Sequence, residues 1–143
     1  MRVLIDADGC PVVGITIRLC KQFETPCILF CDTAHEFCRD DVTVHTFDKG
    51  ADSVDYAIAN RVLTGDVVIT QDYGLASMCL AKGGRVIHQN GWEYTAYNID
   101  ALLLERHESR KYRASGGRTR GPGKRTDAQN RAFTQLLQTI LQG

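Results

Sequence analysis

A chain of 143 residues is long enough for one domain with a sizeable core and too short for two ordinary ones. Its 43% hydrophobic and 24% charged residues exclude the disordered and fibrous classes. The formal net charge of zero conceals an asymmetry. Residues 1–72 carry 12 acidic and 6 basic side chains, whereas residues 73–143 carry 5 and 11, so the first half suits cations and the second half polyanions.

Arg2 to Asp6 is a continuous apolar run and reads as a buried parallel strand. Pro11 opens a helix with Val12, Ile15, Leu19 and Phe23 near helical spacing, and Thr25-Pro26 ends it. Strands follow at Cys27–Cys31 and Val42–Phe47, joined by a short helical or irregular link. A helix over 52–64 presents Val54, Ala57, Ile58 and Val62, with Gly65 as its stop. Asp66–Thr70 is a fourth strand, Leu75 to Ala81 marks a helix ended by Gly83-Gly84, and Arg85–His88 is a fifth strand. Alternating strands and helices predict an α/β domain with a central, mainly parallel sheet of about five strands, covered on both faces.

Beyond Trp92 the pattern is helical: Ile99–Tyr112 and Thr126–Leu141, separated by a basic, Gly-rich break at 115–125. The chain is therefore one domain over 1–143, with a C-terminal helical extension and basic loop at about 96–143. In the last helix Phe133, Leu136, Leu137, Ile140 and Leu141 share an apolar face. That face docks on the domain itself or on a second copy of the chain, so a homodimer is among the expected partners.

No apolar run approaches the roughly 18–20 residues that cross a bilayer, and acidic residues interrupt the opening where a secretory signal stays apolar. A cytoplasmic location is expected. The six cysteines, Cys10, Cys20, Cys27, Cys31, Cys38 and Cys79, then read as reduced thiols. A zinc set of Cys27, Cys31, His35 and Cys38 lacks the paired short spacings of structural zinc sites.

In an open α/β sheet ligands sit outside the carboxyl ends of the strands. Asp6 ends the first strand, Asp8 follows it, Asp72 lies two residues past the fourth strand, and Asp52 and Asp55 begin the helix after the third. Carboxylates gathered at one edge repel one another, and a hard cation such as Mg²⁺ or Mn²⁺ relieves the repulsion. Such an ion also neutralises charge developing on a phosphate in transit. Each acid has an ordinary alternative: Asp52 and Asp72 as helix caps, Asp8-Gly9 as a turn. Asp32, Asp40, Asp41, Asp48 and Asp66 read as surface or turn residues. Thr70 reads equally as a ligand-bonding hydroxyl or as a strand former.

The cations of the second half, among them Arg113, Arg118, Arg120, Lys124 and Arg125, can follow a phosphate backbone or simply remain solvated. Tyr112 is the only aromatic among them, which gives little basis for base stacking.

Four motifs carry a resemblance. Asp6-Ala7-Asp8-Gly9-Cys10-Pro11, Gly50-Ala51-Asp52-Ser53-Val54-Asp55, the run Gly65 to Tyr73 with Thr70-Gln71-Asp72, and Arg113-x-x-Gly116-Gly117-x-Thr119-x-Gly121-Pro122 resemble the YaiI/YqxD family over nearly the whole chain. That family is grouped with the PIN-like nuclease domains, and Lys49 to Ile87 also resembles the NYN ribonuclease domains. The resemblance implies a PIN-like three-layer sandwich, with Asp6, Asp52 or Asp55, and Asp72 as acidic metal ligands and Thr70 as the small hydroxyl residue before the last acid. Gly74 stands where proline is common, and Gly123 separates Pro122 from Lys124, a departure that bears on the basic loop.

The leading expectation is a Mg²⁺- or Mn²⁺-dependent nuclease acting on nucleic acid, RNA in the first place. Its catalytic residues are Asp6, Asp55, Asp72 and Thr70, its metal ligands are drawn from Asp6, Asp8, Asp52, Asp55 and Asp72, and the basic residues above hold substrate. A non-catalytic nucleic-acid- or partner-binding module is the alternative. A phosphatase of the haloacid dehalogenase type, with Asp6 as nucleophile and Asp8 as acid, ranks below both because Gly9-Cys10-Pro11 follows where Thr or Val is usual. Cys10 has no histidine placed by sequence to activate it.

Overall fold

The structure, a computed structural model, describes residues 1–32, 41–48, 53–117 and 123–143. In chain order the elements are β1 (Val3–Asp6), α1 (Val13–Gln22), β2 (Cys27–Asp32), β3 (Thr43–Phe47), α2 (Ser53–Arg61), β4 (Val67–Ile69), α3 (Tyr73–Ala81), β5 (Arg85–Ile87), β6 (Glu93–Tyr94), α4 (Ile99–Ala114) and α5 (Asp127–Gln142). The expected link between β2 and β3 falls at 33–40, outside the described residues.

The strands form one sheet in the order β3-β2-β1-β4-β5-β6. All neighbours are parallel except β5 and β6. The expected parallel core is thus present, and the short antiparallel β6 is an addition. Two residues of Glu-Tyr are too few to show a period of two, so no sequence pattern announces it. Its role is structural: Val86 pairs with Tyr94, and Tyr94 is buried.

Side-chain alternation splits the core between the two faces of the sheet. Val3 and Ile5 of β1, with Val67 and Ile69 of β4, join Ile17 of α1 and Phe133, Leu137 and Ile140 of α5 on one side. Leu4 and Val68 point the other way, into Ile58 of α2, Leu75 and Cys79 of α3, and Ile99 of α4. The result is the expected three-layer sandwich. The apolar face of α5 is covered by its own domain, where the helix packs on α1. A capping box at Thr126 and Gln129 starts α5.

At its amino end α5 crosses the turn between β5 and β6 so closely that Gly91 has no room for a side chain. A Cβ there would lie 2.5 Å from the backbone carbon of Ala132, and Gly91 has φ +88°. This contact brings the C-terminal segment to the carboxyl edge of the sheet.

Candidate functional site

The order of the strands reverses direction at β1 and β4, which are direct neighbours although far apart in sequence. At such a switch point the connections diverge and leave a crevice at the carboxyl ends. Ile5 pairs with Ile69, so the next residues, Asp6 and Thr70, stand side by side. The Thr70 hydroxyl donates to Asp6 Oδ2 at 2.9 Å and accepts from the Asp72 backbone N–H at 3.0 Å. One hydroxyl therefore ties the acid of the first strand to the loop that carries the third-motif acid. Tyr94 Oη fixes this point from β6 by donating to the Thr70 carbonyl at 3.2 Å. Thr70 lies just past the end of β4, and its hydroxyl bonds a carboxylate.

Asp72 is also the N-cap of α3. Its Oδ1 accepts from the backbone N–H groups of Gly74 at 2.8 Å and Leu75 at 3.2 Å, and from Arg106 Nη1 at 3.2 Å. All of these bonds fall on one oxygen, so cap and site roles are compatible: the cap orients the carboxylate and the other oxygen stays available to a ligand. Gly74 supplies one of the capping N–H groups, a role the proline common at this position cannot fill.

Asp6 is a perturbed carboxyl. Burial raises its pKa to about 6, against the Thr70 bond that lowers it, and the charges of Asp72 and Asp8 raise it further. Asp6, Asp8 and Asp72 thus share one electrostatic environment. Asp8 is anchored there by the Asp32 backbone N–H, which donates to Asp8 Oδ2 at 2.9 Å. Asp55, in the first turn of α2, lines one cavity of about 310 Å³ together with Asp72 and Arg106. Asp6, Gln71, Asp72, Tyr73 and Arg106 line an adjoining one of about 390 Å³. Among the described residues no three acidic, histidine or cysteine side chains converge into a ready-made metal-ligand group. Asp52 lies outside the described residues.

Arg106 is the residue the sequence did not single out. It lies in Glu105-Arg106-His107-Glu108-Ser109-Arg110-Lys111, where nothing distinguishes it from solvated neighbours. Only the packing of α4 on α3 brings it over Asp72. Arg113 is exposed in the last turn of α4 and Lys124 is exposed, while Arg118 and Arg120 lie outside the described residues. Arg125 is a brace: its Nη1 donates to Asn90 Oδ1 at 2.8 Å, its Nη2 to the Gln89 carbonyl at 2.6 Å and its Nε to Asn130 Oδ1 at 2.6 Å.

Other candidates resolve differently. Asp66 is not a surface or turn residue but a buried one, bonded by Arg2 Nη2 at 2.6 Å and by the Leu63 N–H at 2.9 Å at the amino edge of the sheet. Its sequence position after Gly65 disguised this, because the partner is 64 residues away. The Cys10 thiol is pushed up to about 11 by burial, partly offset by a backbone bond and by Arg125, which works against a thiolate there. Cys27 and Cys31 lie on β2, with Cys31 in the core; His35 and Cys38 lie outside the described residues. No described helix is long and apolar enough to cross a membrane.

Comparison with known proteins agrees with the motifs. The chain is 50% identical over 141 residues to a UPF0178 protein of Exiguobacterium sibiricum, covering 99% of this chain and 96% of that one. A UPF0178 protein of Ruminiclostridium cellulolyticum is 47% identical over 137 residues, 96% of this chain and 90% of its own length. A third, from Natranaerobius thermophilus, is 42% identical over 141 residues, 99% and 96% of the two chains. No solved structure matches the chain. Residues 4–143 match the family described as "Uncharacterized BCR, YaiI/YqxD family", and the chain therefore belongs to the YaiI/YqxD family.

Proposed function

We propose that this protein is a divalent-metal-dependent nuclease that hydrolyses phosphodiesters of RNA at the carboxyl edge of β1 and β4. The observation that carries the reading is the Asp72–Thr70–Asp6 link, in which one hydroxyl donates to the Asp6 carboxylate and accepts from the Asp72 backbone N–H at the switch point. A carboxyl whose proton affinity is raised by burial and by neighbouring acids is a position where a cation replaces a proton. Hard oxygen donors fit Mg²⁺ or Mn²⁺, so Asp6 and Asp72, with Asp8 and Asp55 nearby, would hold the ion. The ion supplies charge neutralisation at the phosphate and a bound water of lowered pKa.

The chain's own residues do the rest. Thr70 holds the Asp6 carboxylate and the Asp72 backbone, and the cap bonds of Asp72 hold its carboxylate, which limits reorganisation on binding. Arg106 offers a planar guanidinium on the rim of both acid-lined cavities, where it can receive a phosphate. Asp55 adds a carboxylate to the cavity it lines with Asp72.

The test is cleavage of single-stranded RNA by the purified chain in Mn²⁺ or Mg²⁺. Chelation should abolish turnover, and Asp6→Asn and Asp72→Asn should each lower the rate by on the order of a hundredfold or more, the upper end of the roughly 10- to 100-fold that loss of an indirect ligand partner costs. Turnover that survives both substitutions sinks the proposal. RNA binding without turnover, insensitive to both, assigns the fold to a binding module instead. A phosphate trapped covalently on Asp6 with small phosphomonoesters points to a phosphatase.

A further inference from the structure

A third cavity, of about 400 Å³, adjoins the one that holds Asp6, and Pro11, Gln71, Gln89, Asn90, Arg125 and Gln129 are among its lining. Its size is within the roughly 300–1,000 Å³ of small-molecule sites. Gln71 lines both this cavity and the one containing Asp6 and Asp72. A ligand with a phosphate at the acids thus has its neighbouring group delivered here.

The walls are unusual in chemistry: four side-chain carboxamides, one guanidinium and no carboxylate. Arg125 is largely consumed by its bonds to Asn90, Gln89 and Asn130. Asn90 turns its Oδ1 to Arg125, and Gln129 turns its Oε1 to the Thr126 N–H, so each keeps an NH₂ group for a ligand. Among the described residues, the side chains of Gln71 and Gln89 have no hydrogen-bond partner. Each presents a donor and an acceptor side by side. The turn that carries Gln89 and Asn90 is braced by the stack of His88 on Trp92, ring centroids 4.5 Å apart, and by the Asn90 N–H bond to His88 Nδ1 at 3.0 Å.

We propose that this cavity binds a nucleobase of the RNA strand, and adenine in preference to the others. Resting on the nuclease reading for its location, the inference adds the subsite that selects where the strand is engaged. A carboxamide pairs its oxygen with the N6 amino group of adenine and its NH₂ with N7, whereas guanine is read best by a guanidinium whose donors are free. Here the guanidinium is committed to the fold, as are the oxygens of Asn90 and Gln129, whereas the carboxamides of Gln71 and Gln89 are not. The planar base suits a single-stranded substrate whose bases are unstacked.

The experiment is anisotropy of the full chain with fluorescein-labelled A6, G6, C6 and U6 RNA in EDTA, where no cleavage interferes. A6 should bind about 10-fold more tightly than the other three, as one bidentate base contact implies. Gln89→Ala or Gln71→Ala, each checked by circular dichroism for folding, should reduce the preference to about twofold or less. Equal affinity for all four oligonucleotides, no binding at all, or a preference undiminished in both variants overturns the subsite. The same oligonucleotides in Mn²⁺ separate the two readings: adenine preference without cleavage leaves the subsite standing and the nuclease fallen, and cleavage without preference does the reverse.

Discussion

Strand β1 is flanked by a carboxylate at each end, and the two are treated oppositely by the fold. At its amino end Asp66 meets Arg2 through Nε and Nη2 and also accepts from the Arg2 and Leu63 N–H groups. Burial works against its ionised form, but these bonds outweigh it and hold its pKa below the ordinary carboxylate value. At the carboxyl end Asp6 accepts from a neutral hydroxyl and feels two further acids, and its pKa is raised to about 6. An acid given a cation inside the chain serves stability. An acid crowded with other acids is costly to the apo fold, and such positions are where functional sites concentrate.

The amino end offers the largest expected change. Asp66→Ala leaves the Arg2 guanidinium and two backbone donors without their acceptor, and should lower unfolding free energy by about 3 kcal/mol. An unchanged denaturant slope with a reduced midpoint confirms this. A group whose folded pKa is depressed contributes stability that is present above its unfolded pKa and lost as pH falls through the folded one. The wild-type advantage over Asp66→Ala should therefore shrink on acidification below the ordinary carboxylate range.

The opposite sign is expected at Asp6. Its folded pKa of about 6 lies above the ordinary 3.8, so the folded state holds a proton that the unfolded chain releases between those values, and ionisation above pH 6 works against folding. Asp6→Asn should raise stability by about 1–3 kcal/mol at pH 8, with the gain vanishing toward pH 4. Thermal melts of the two proteins across that range decide it. A variant less stable at pH 8 contradicts the electrostatic account of this edge, and saturating Mn²⁺ should reverse the order in favour of the wild type.

How much of this was visible before the structure follows from where each signal resides. Strand-helix alternation and the apolar faces of α1 and α5 are local periodicities, so the parallel sheet and its three layers were legible. The positions of Asp6, Thr70 and Asp72 were legible too, because they sit at strand ends and strand ends are set by local pattern. What Thr70 bonds was not, since Asp6 is 64 residues away. Asp66 shows the limit most clearly: the residue before an apolar strand looks like a turn, and only pairing of β1 with β4 brings Arg2 to it. Arg106 and the bracing role of Arg125 were hidden for the same reason, each being one cation in a basic run until helix packing selects it.

A smaller effect is expected at Asp72, where cap and site coincide. Asp72→Ala removes the acceptor for the Gly74 and Leu75 N–H groups and should cost about 1 kcal/mol, the usual worth of an N-cap. It also removes one of the charges that raise the Asp6 pKa, so the Asp6 titration followed by carboxyl NMR should move down. Asp72→Ser keeps a capping oxygen without the charge. It should recover most of the stability while leaving the Asp6 pKa as low as in the alanine variant, which separates the two roles of one side chain.

The smallest stability change is expected at Arg106, and it is the most informative about function. Its guanidinium and the Asp72 carboxylate are both about one-third exposed, and partly exposed pairs contribute at most about 1 kcal/mol. Arg106→Ala should therefore melt close to the wild type. If Arg106 receives a phosphate in the complex, RNA affinity falls and the slope of log affinity against log salt becomes shallower by a little under one, the counterion count of a single contact on a single strand. A salt slope unchanged while affinity falls would show that Arg106 acts by orienting Asp72 alone. In that case Arg106→Lys, which keeps the charge beside Asp72 without the planar fork, should restore binding fully, whereas a phosphate-receiving guanidinium is restored only in part.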